Sequence, residues 1–442
     1  MLRLIALAPR CHSQSPAARR HFPLVVAFAL VLAAPPVLAD PVEPVMAQAR
    51  ANKQPLLDTL KSLVEIESGS DDREGLDRIS SLIAEKLKAL GGDVEIIEPG
   101  DDTYRMEDTP PKVGRMVKAV FHGTGTKKIL LIGHMDTVYR RGMLARQPIG
   151  IDGDHAYGLA IADDKQGVAL MIHTVAELQA LNFHDYTTLT VFSNGDEETS
   201  SPGARAQLTK NGAENDVTLS FEASRVNSDK LSLATSGIAG LILHVKGKAS
   251  HAGSSPERGV NALVELSHQI LQTKDLSDPA TGLKMNWTNA KAGSGSHNVI
   301  PESAEAFADV RVNRIEDYDR IEQEVREKIT HTLVPGARVE MTFERRRPPL
   351  QATPASVAVA RHAQEIYREI GKTLAVDDKA EGGGTDAAFA ALKTKNAVVE
   401  RFGLQGFGAH SADDEYILIS SIEPRLYLTA RLIMDISQDK VH

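Results

Sequence analysis

Three short, almost wholly apolar runs constrain this chain more than any other feature. They are 128–133 (KILLIG), 188–193 (TLTVFS) and 217–221 (VTLSF), and a histidine or carboxylate follows each one closely. Apolar runs of this length, without alternation, read as strands buried on both faces. Such strands need helices on both sides of a mainly parallel sheet. The intervening sequence supplies them. Amphipathic helices are expected near 55–67 (Leu56, Leu60, Leu63, Val64), 72–90 (Leu76, Ile79, Ile83, Leu87, Leu90) and 166–181. Gly91-Gly92 marks a stop, and Ser201-Pro202 is expected to cap and open a short helix. Residues 40–52 read as a polar, mobile start.

The pattern changes near residue 236. Strand 237–247, helix 260–274, strand 282–291, strand 303–312, helix 316–332 and strand 337–345 follow in the order βαββαβ of a ferredoxin-like unit. Helix 355–370, a turn at Gly382-Gly383-Gly384, helix 385–393 and helix 421–436 then read as the first unit resuming. The expected architecture is an α/β chain in four parts: leader 1–39, catalytic domain 40–235, inserted ferredoxin-like domain 236–347, and catalytic domain 348–442. A length of 442 residues fits two domains.

The first 39 residues hold four arginines, no acids, an apolar run at 22–34 and Val37-Leu38-Ala39 before Asp40. This is the pattern of a cleaved export signal, so an exported, periplasmic enzyme with no membrane attachment after cleavage is expected. Arg19-Arg20 also fits a twin-arginine route. The single cysteine, Cys11, lies in that leader, so a mature chain has no disulfide and no thiolate ligand. Loss of the four arginines takes the formal charge from −9 to −13. An acidic chain with no basic cluster is a poor partner for nucleic acid.

The chemistry-bearing residues cluster at the strand ends. His134 and Asp136 lie two apart on an extended segment, so His134 can bind a metal while Asp136 accepts its other ring N–H. Asp163-Asp164-Lys165 sits just before a helix, where Asp163 has two oxygens to share between metals. Asp196-Glu197-Glu198 sets adjacent carboxylates together, which repel unless a cation or proton separates them. Glu222 ends a strand and needs a partner, and His410 stands late in the chain. Imidazole with carboxylate suits zinc or cobalt. One carboxylate beyond the ligands leaves a general base, which points to a two-metal hydrolase.

These residues lie in motifs that together resemble the two-zinc exopeptidase and deacylase family of acetylornithine deacetylase, succinyl-diaminopimelate desuccinylase and glutamate carboxypeptidase. The likeness is strongest to the folate-cleaving glutamate carboxypeptidase branch. The motifs are GHMDTVY at 133–139, YGLAIADDK at 157–165, GDEE at 195–198, FEAS at 221–224, KASHAG at 248–253, NVIP at 298–301, ADVR at 308–311, GGGTDAA at 382–388 and FGAHSADDEY at 407–416. The resemblance implies two zinc ions per subunit, with cobalt able to substitute. One would sit on His134, Asp163 and Glu222, the other on Asp163, Glu198 and His410. It implies Glu197 as general base for a metal-bound water, Asp136 behind His134, and a cis peptide at Asp163–Asp164. It also implies a homodimer through the inserted domain, in which His251 reaches the other subunit's site as an oxyanion donor. Leu159-Ala160 and Gln166 depart from the family's Pro-Gly and Gly.

The implied substrate is a small N-acyl amino acid or peptide with a free C-terminal carboxylate, glutamate by preference. A guanidinium binds such a carboxylate in two-pronged fashion. Arg311 and Arg347 are the cations expected near it, with Asn298 and the backbone at Gly383 as further contacts. An aminoacylase or dipeptidase with the same zinc centre is the rival reading. A non-catalytic periplasmic binding protein is the remote one, and intact Glu197 and ligands argue against it.

Overall fold

Residues 40–441 are described by a computed structural model. The expected leader 1–39, with Cys11 and Arg19-Arg20, lies outside the described residues.

The apolar runs form the centre of a six-stranded sheet. Its order is Asp93–Ile97, Met116–His122, Thr188–Asn194, Lys128–His134, Val217–Ser220, Ala397–Val399. Asp93–Ile97 pairs antiparallel with Met116–His122, which pairs antiparallel with Thr188–Asn194, and the last four strands are mutually parallel. Both faces are covered, which explains the unbroken apolarity of KILLIG. Ile129 and Leu131 enter one cluster of buried side chains with helices Glu43–Val64, Gln166–Ala180 and Ile422–Ser437. Leu130 and Ile132 enter another, with Leu208, Phe389 and Val398. Four parallel strands bring their carboxyl ends to one edge, where ligands bind in open α/β sheets.

A second sheet is antiparallel throughout. Its order is Lys284–Ala292, Ser303–Val312, Gly237–Lys246, Arg338–Arg347. In chain order that is 2-3-1-4, the ferredoxin-like arrangement. Strand Ser303–Val312 alternates, turning Ala304, Ala306, Ala308, Val310 and Val312 inward. They pack with Leu266, Ile321 and Val325 from helices Ala262–Thr273 and Glu316–Lys328, a core separate from that of the first sheet.

The chain differs from expectation at three places that bear on the site. Residues 43–64 form one helix through Pro55, so 40–52 is not a mobile start. Val45, Met46 and Ala49 are buried ahead of Leu56, and the Val42 N–H donates to Tyr427 Oη at 2.9 Å. Pro55 lacks only one donor, and packing of the apolar stripe outweighs that loss. Ser201-Pro202 does not open a helix. Ser200 and Ser201 take left-handed φ of 67° and 52°, and the helix is Arg205–Glu214. The Asp196 carboxylate takes the N–H groups of Gly203 (2.7 Å) and Ala204 (3.0 Å) instead. Third, a five-stranded sheet absent from the sequence reading joins Gly150–Asp152, His155–Tyr157, Tyr416–Leu418, Gln405–Phe407 and Ser224–Arg225.

Helix Gln166–Ala180 buries one carboxyl without a partner. Neither oxygen of Glu177 makes a hydrogen bond among the described residues, and burial pushes its pKa up to about 8. The folded state therefore binds this proton more tightly than the unfolded chain. Its contribution is fully present below about pH 4.5 and is lost as pH rises toward about 8. Glu177→Gln should remove that loss and stabilise the protein by roughly 1–3 kcal/mol at pH 8.5, with little effect at pH 4.5. Denaturant midpoints of both proteins across that range check it; parallel pH profiles would refute it.

Candidate metal centre

The carboxyl-end edge of the six-stranded sheet gathers the expected residues. His134 is the last residue of its strand, the Asp196–Glu198 turn follows Asn194, and Glu222 follows strand Val217–Ser220. The five-stranded sheet brings the rest. Its strands Gln405–Phe407 and Tyr416–Leu418 pair antiparallel, and His410 sits in the loop between them. Tyr416–Leu418 also pairs with His155–Tyr157, just ahead of Asp163. One small sheet thus carries both late arrivals to the edge.

Two groups of potential ligands form there, His134–Asp163–Glu222 and Asp163–Glu198–His410, with Asp163 common to both. His134 Nε2 lies 3.0 Å from Asp163 Oδ1 and 3.5 Å from Glu222 Oε1. His410 Nε2 lies 3.2 Å from Asp163 Oδ2 and 3.1 Å from Glu198 Oε2. Asp163–Asp164 is cis, as the resemblance implies.

The donor set fits a cation. His134 Nδ1 faces only acceptors, Asp136 O at 3.2 Å and Asp136 Oδ1 at 3.3 Å, so it carries the proton in a neutral ring. Nε2 then offers a lone pair toward two carboxylates, three acceptors in one place. Glu198 Oε1 is buried with no hydrogen-bond partner among the described residues. Separations of 3.0–3.5 Å match the edges of a tetrahedron about an ion with bonds of about 2.0–2.1 Å. Without an ion, only protons can relieve the crowding. Burial opposes protonation of His134, but Asp136, Asp163 and Glu222 outweigh it and raise its pKa well above the ordinary value. Asp163 and Glu198 push His410 up to about 11. Burial pushes Glu198 up to about 7.

Glu197 belongs to neither group. Its side chain is 9% exposed and pairs with Arg347 Nη1 at 2.9 Å. Arg347 also pairs with Asp386 Oδ1 at 2.9 Å and donates to the Glu197 carbonyl at 2.7 Å. Burial drives the Glu197 carboxyl well above the usual range, with Arg347 and His134 pulling the other way. Arg347 is therefore committed to the turn bearing Glu197. Asp136 accepts from Glu197 N (3.0 Å), Glu198 N (3.1 Å) and Ser70 Oγ (2.7 Å). It orients the histidine and the acidic turn together.

The remaining expected residues lie apart from this cluster. Arg311 pairs with Asp309 at 2.9 Å and donates to Gly382 O at 3.1 Å. The Gly383 carbonyl accepts from Ser236 N, and the Asn298 carbonyl from Ala252 N. His251 is exposed, and its Nδ1 accepts from Gly253 N (3.1 Å) and Ser254 N (3.0 Å). That leaves the ring proton on Nε2, facing outward as a donor. Among the described residues no hydrogen bond or ion pair joins His251 or Asn298 to the metal-type residues.

Two residues to which the sequence reading gave no supporting role hold the site together. Buried Glu415 accepts from Ala162 N (2.8 Å), Asp163 N (3.1 Å), Ala160 N (3.1 Å) and the Tyr139 hydroxyl. It stands five residues after His410, so one side chain ties the two loops together. Ala160 sits at φ 58°, the left-handed region where a glycine fits without strain. The tie to Glu415 holds it there. Gln166 is the other. It donates to Asp164 Oδ1 (2.7 Å) and Phe221 O (3.0 Å) and accepts from Leu404 N. It braces the segments before Glu222 and His410 against the aspartates. Gly167 makes room, since a Cβ there would come within 2.4 Å of Asp164 Oδ1 and Phe221 O.

Glu415→Gln replaces one accepting oxygen with a donor that faces N–H groups. Stability should fall by about 2–4 kcal/mol, and zinc affinity by roughly 10–100-fold. Urea unfolding and chelator competition read the two effects. An unchanged midpoint with unchanged zinc affinity would remove Glu415 from this role.

Comparison with known proteins agrees with this geometry. The family model for peptidase family M20/M25/M40 matches residues 130–435. The chain is 43% identical over 404 residues to carboxypeptidase G2 of Pseudomonas sp. (strain RS-16), covering 91% of this chain and 94% of that one. It is 29% identical over 287 residues to succinyl-diaminopimelate desuccinylase of Stenotrophomonas maltophilia (strain R551-3), covering 61% and 74%. In fold it is similar to the crystal structure of a tripeptidase from Staphylococcus aureus, with a TM-score of 0.70, 20% identity, and coverage of 88% of this chain and 99% of that one. The chain belongs to peptidase family M20/M25/M40.

Proposed function

We propose that the chain is a zinc-dependent carboxypeptidase that hydrolyses the amide bond of N-acyl amino acids bearing a free C-terminal carboxylate, with glutamate as the preferred leaving residue. The observation that carries it is the pair of ligand groups sharing Asp163, with Glu197 beside them and outside both. Likeness to carboxypeptidase G2 along 91% of the chain supports the carboxypeptidase class and the preference.

In this reading His134, Asp163 and Glu222 would hold one ion, and Asp163, Glu198 and His410 would hold a second. Bound zinc polarises a carbonyl oxygen and lowers the pKa of water toward 7. The chain's own groups do the rest. Glu197 takes the proton of the attacking water and delivers it to the nitrogen of the leaving amine. Arg347 and Asp386 hold its carboxylate in place, and Asp136 fixes the turn from beneath. We assign Arg347 to this positioning work because its guanidinium is already engaged. The substrate carboxylate then falls to Arg311, Asn298 and the Gly383 backbone. His251, with Nε2–H outward, suits an oxyanion donor in the partner subunit of a homodimer joined through 236–347. The division at 40–235, 236–347 and 348–442 is supported by two separate cores. The 1–39 pattern supports export.

Glu197→Gln should retain zinc and lose about 10²–10⁴-fold in turnover. Turnover and zinc content measured on one preparation check it; near-normal turnover would remove Glu197 as the base. Substrate class is read by amino-acid release from an aryl-acyl glutamate, against matching aspartate, alanine and free-amine dipeptide compounds. Release of glutamate well above the rest is expected. Preference for free-amine dipeptides or another residue would favour the dipeptidase or aminoacylase reading.

A further inference from the structure

A cavity of about 740 Å³ opens between helix Arg205–Glu214 and the start of helix Glu316–Lys328, and none of its lining residues belongs to the metal-type cluster. One wall is helix Arg205–Glu214 with Phe389; the other includes Ile315 and Tyr318; Pro348 lies where the chain passes between them. Tyr104 and Leu392 complete an apolar lining, and Ile315 and Leu392 are 50% and 44% exposed at it. Exposed apolar surface inside a concavity is the usual setting for a small organic ligand.

The polar groups around this lining are largely cationic. Arg205 lies between two rings, 4.1 Å from the Tyr104 centroid and 5.0 Å from that of Phe389. Its Nε and Nη2 donate to the carbonyls of Ser201, Ser200 and Arg346. Its Nη1 has no partner, and no carboxylate pairs with it, among the described residues. Lys210 and Lys393 also line the cavity without an ion pair, while Arg345 is taken up by Asp319 and Glu322. Among the described residues Glu214 is the one carboxylate in the lining. The site is thus an apolar slot with surplus positive charge and a guanidinium edge already oriented by three carbonyls.

We propose that this cavity binds an aromatic carboxylate, distinct from the substrate at the metal cluster. The ring would pack against Ile315, Leu392 and Phe389, and the carboxylate would take Arg205 Nη1 with Lys210 or Lys393 nearby. Because one wall is helix Arg205–Glu214 with Phe389 and the other carries Ile315, Tyr318 and Arg345 of the inserted unit, an occupant would brace their arrangement. Because Arg205 holds the carbonyls of Ser200 and Arg346, it would do so beside the turn and strand that carry Glu197 and Arg347.

Ligand-observed NMR titration of the zinc-loaded full chain with benzoate tests this, with neutral benzamide as control. Saturable benzoate binding is expected, with benzamide weaker by a factor of about ten or more. Thr209→Trp, which fills the slot, should weaken benzoate by a similar factor. The Lys210→Gln/Lys393→Gln pair, on side chains at the rim, should weaken it by about threefold or more without filling anything. Absence of saturable binding up to about 10 mM, equal binding of benzamide, or binding unchanged in the lysine pair would overturn the proposal. A second benzoate site that survives all these variants would belong to the metal cluster and would leave the predicted losses at this one unchanged.

Discussion

The carboxylate of Asp163 is the element on which the rest of the site depends. Its two oxygens face two histidines from opposite parts of the chain, at 3.0 Å and 3.2 Å. Each histidine in turn faces a second carboxylate, Glu222 or Glu198. Acceptors set this close repel one another unless a cation lies among them. The folded chain therefore builds a place for positive charge before any ion arrives. Holding that crowding together is what the supporting structure does: Glu415 ties down the Asp163 loop, Gln166 braces it to its neighbours, and Asp136 fixes the acidic turn.

The same logic explains the placement of Glu197. A carboxyl buried among carboxylates would be neutral if left alone. Arg347, itself buried and paired with Asp386, supplies the compensating charge and also grips the Glu197 backbone. Arg347 ends a strand of the second sheet, while Glu197 follows a strand of the first. The link between Glu197 and the guanidinium thus crosses from one sheet to the other, so the position of one sheet against the other bears directly on this carboxylate.

Much of this was legible in the sequence, for local reasons. KILLIG has the signature of a strand covered on both faces, and both faces are covered. The 303–312 strand shows the period of two expected of a sheet with one buried face. His134 and Asp136 meet because i and i+2 share a side of an extended segment. The two ligand groups have the membership that the motifs imply. The misses have a common cause, which is contact between residues far apart in the chain. Glu415 and Ala160 are 255 positions apart, and Gln166 and Leu404 are 238 apart. The five-stranded sheet is built from strands of two or three residues, too short to carry a period. The expected helix began near 55, whereas the buried Val45, Met46 and Ala49 carry it back to Glu43 in the folded chain. The partners of Arg347 at 197 and 386 are likewise visible only once the fold is formed.

The most direct test of the shared aspartate is anomalous scattering at the zinc edge from crystals of the zinc-loaded protein. The account predicts two peaks per chain, one beside His134 and Glu222 and one beside Glu198 and His410, with one oxygen of Asp163 on each. A single peak, or two peaks with Asp163 bound to only one of them, would contradict it.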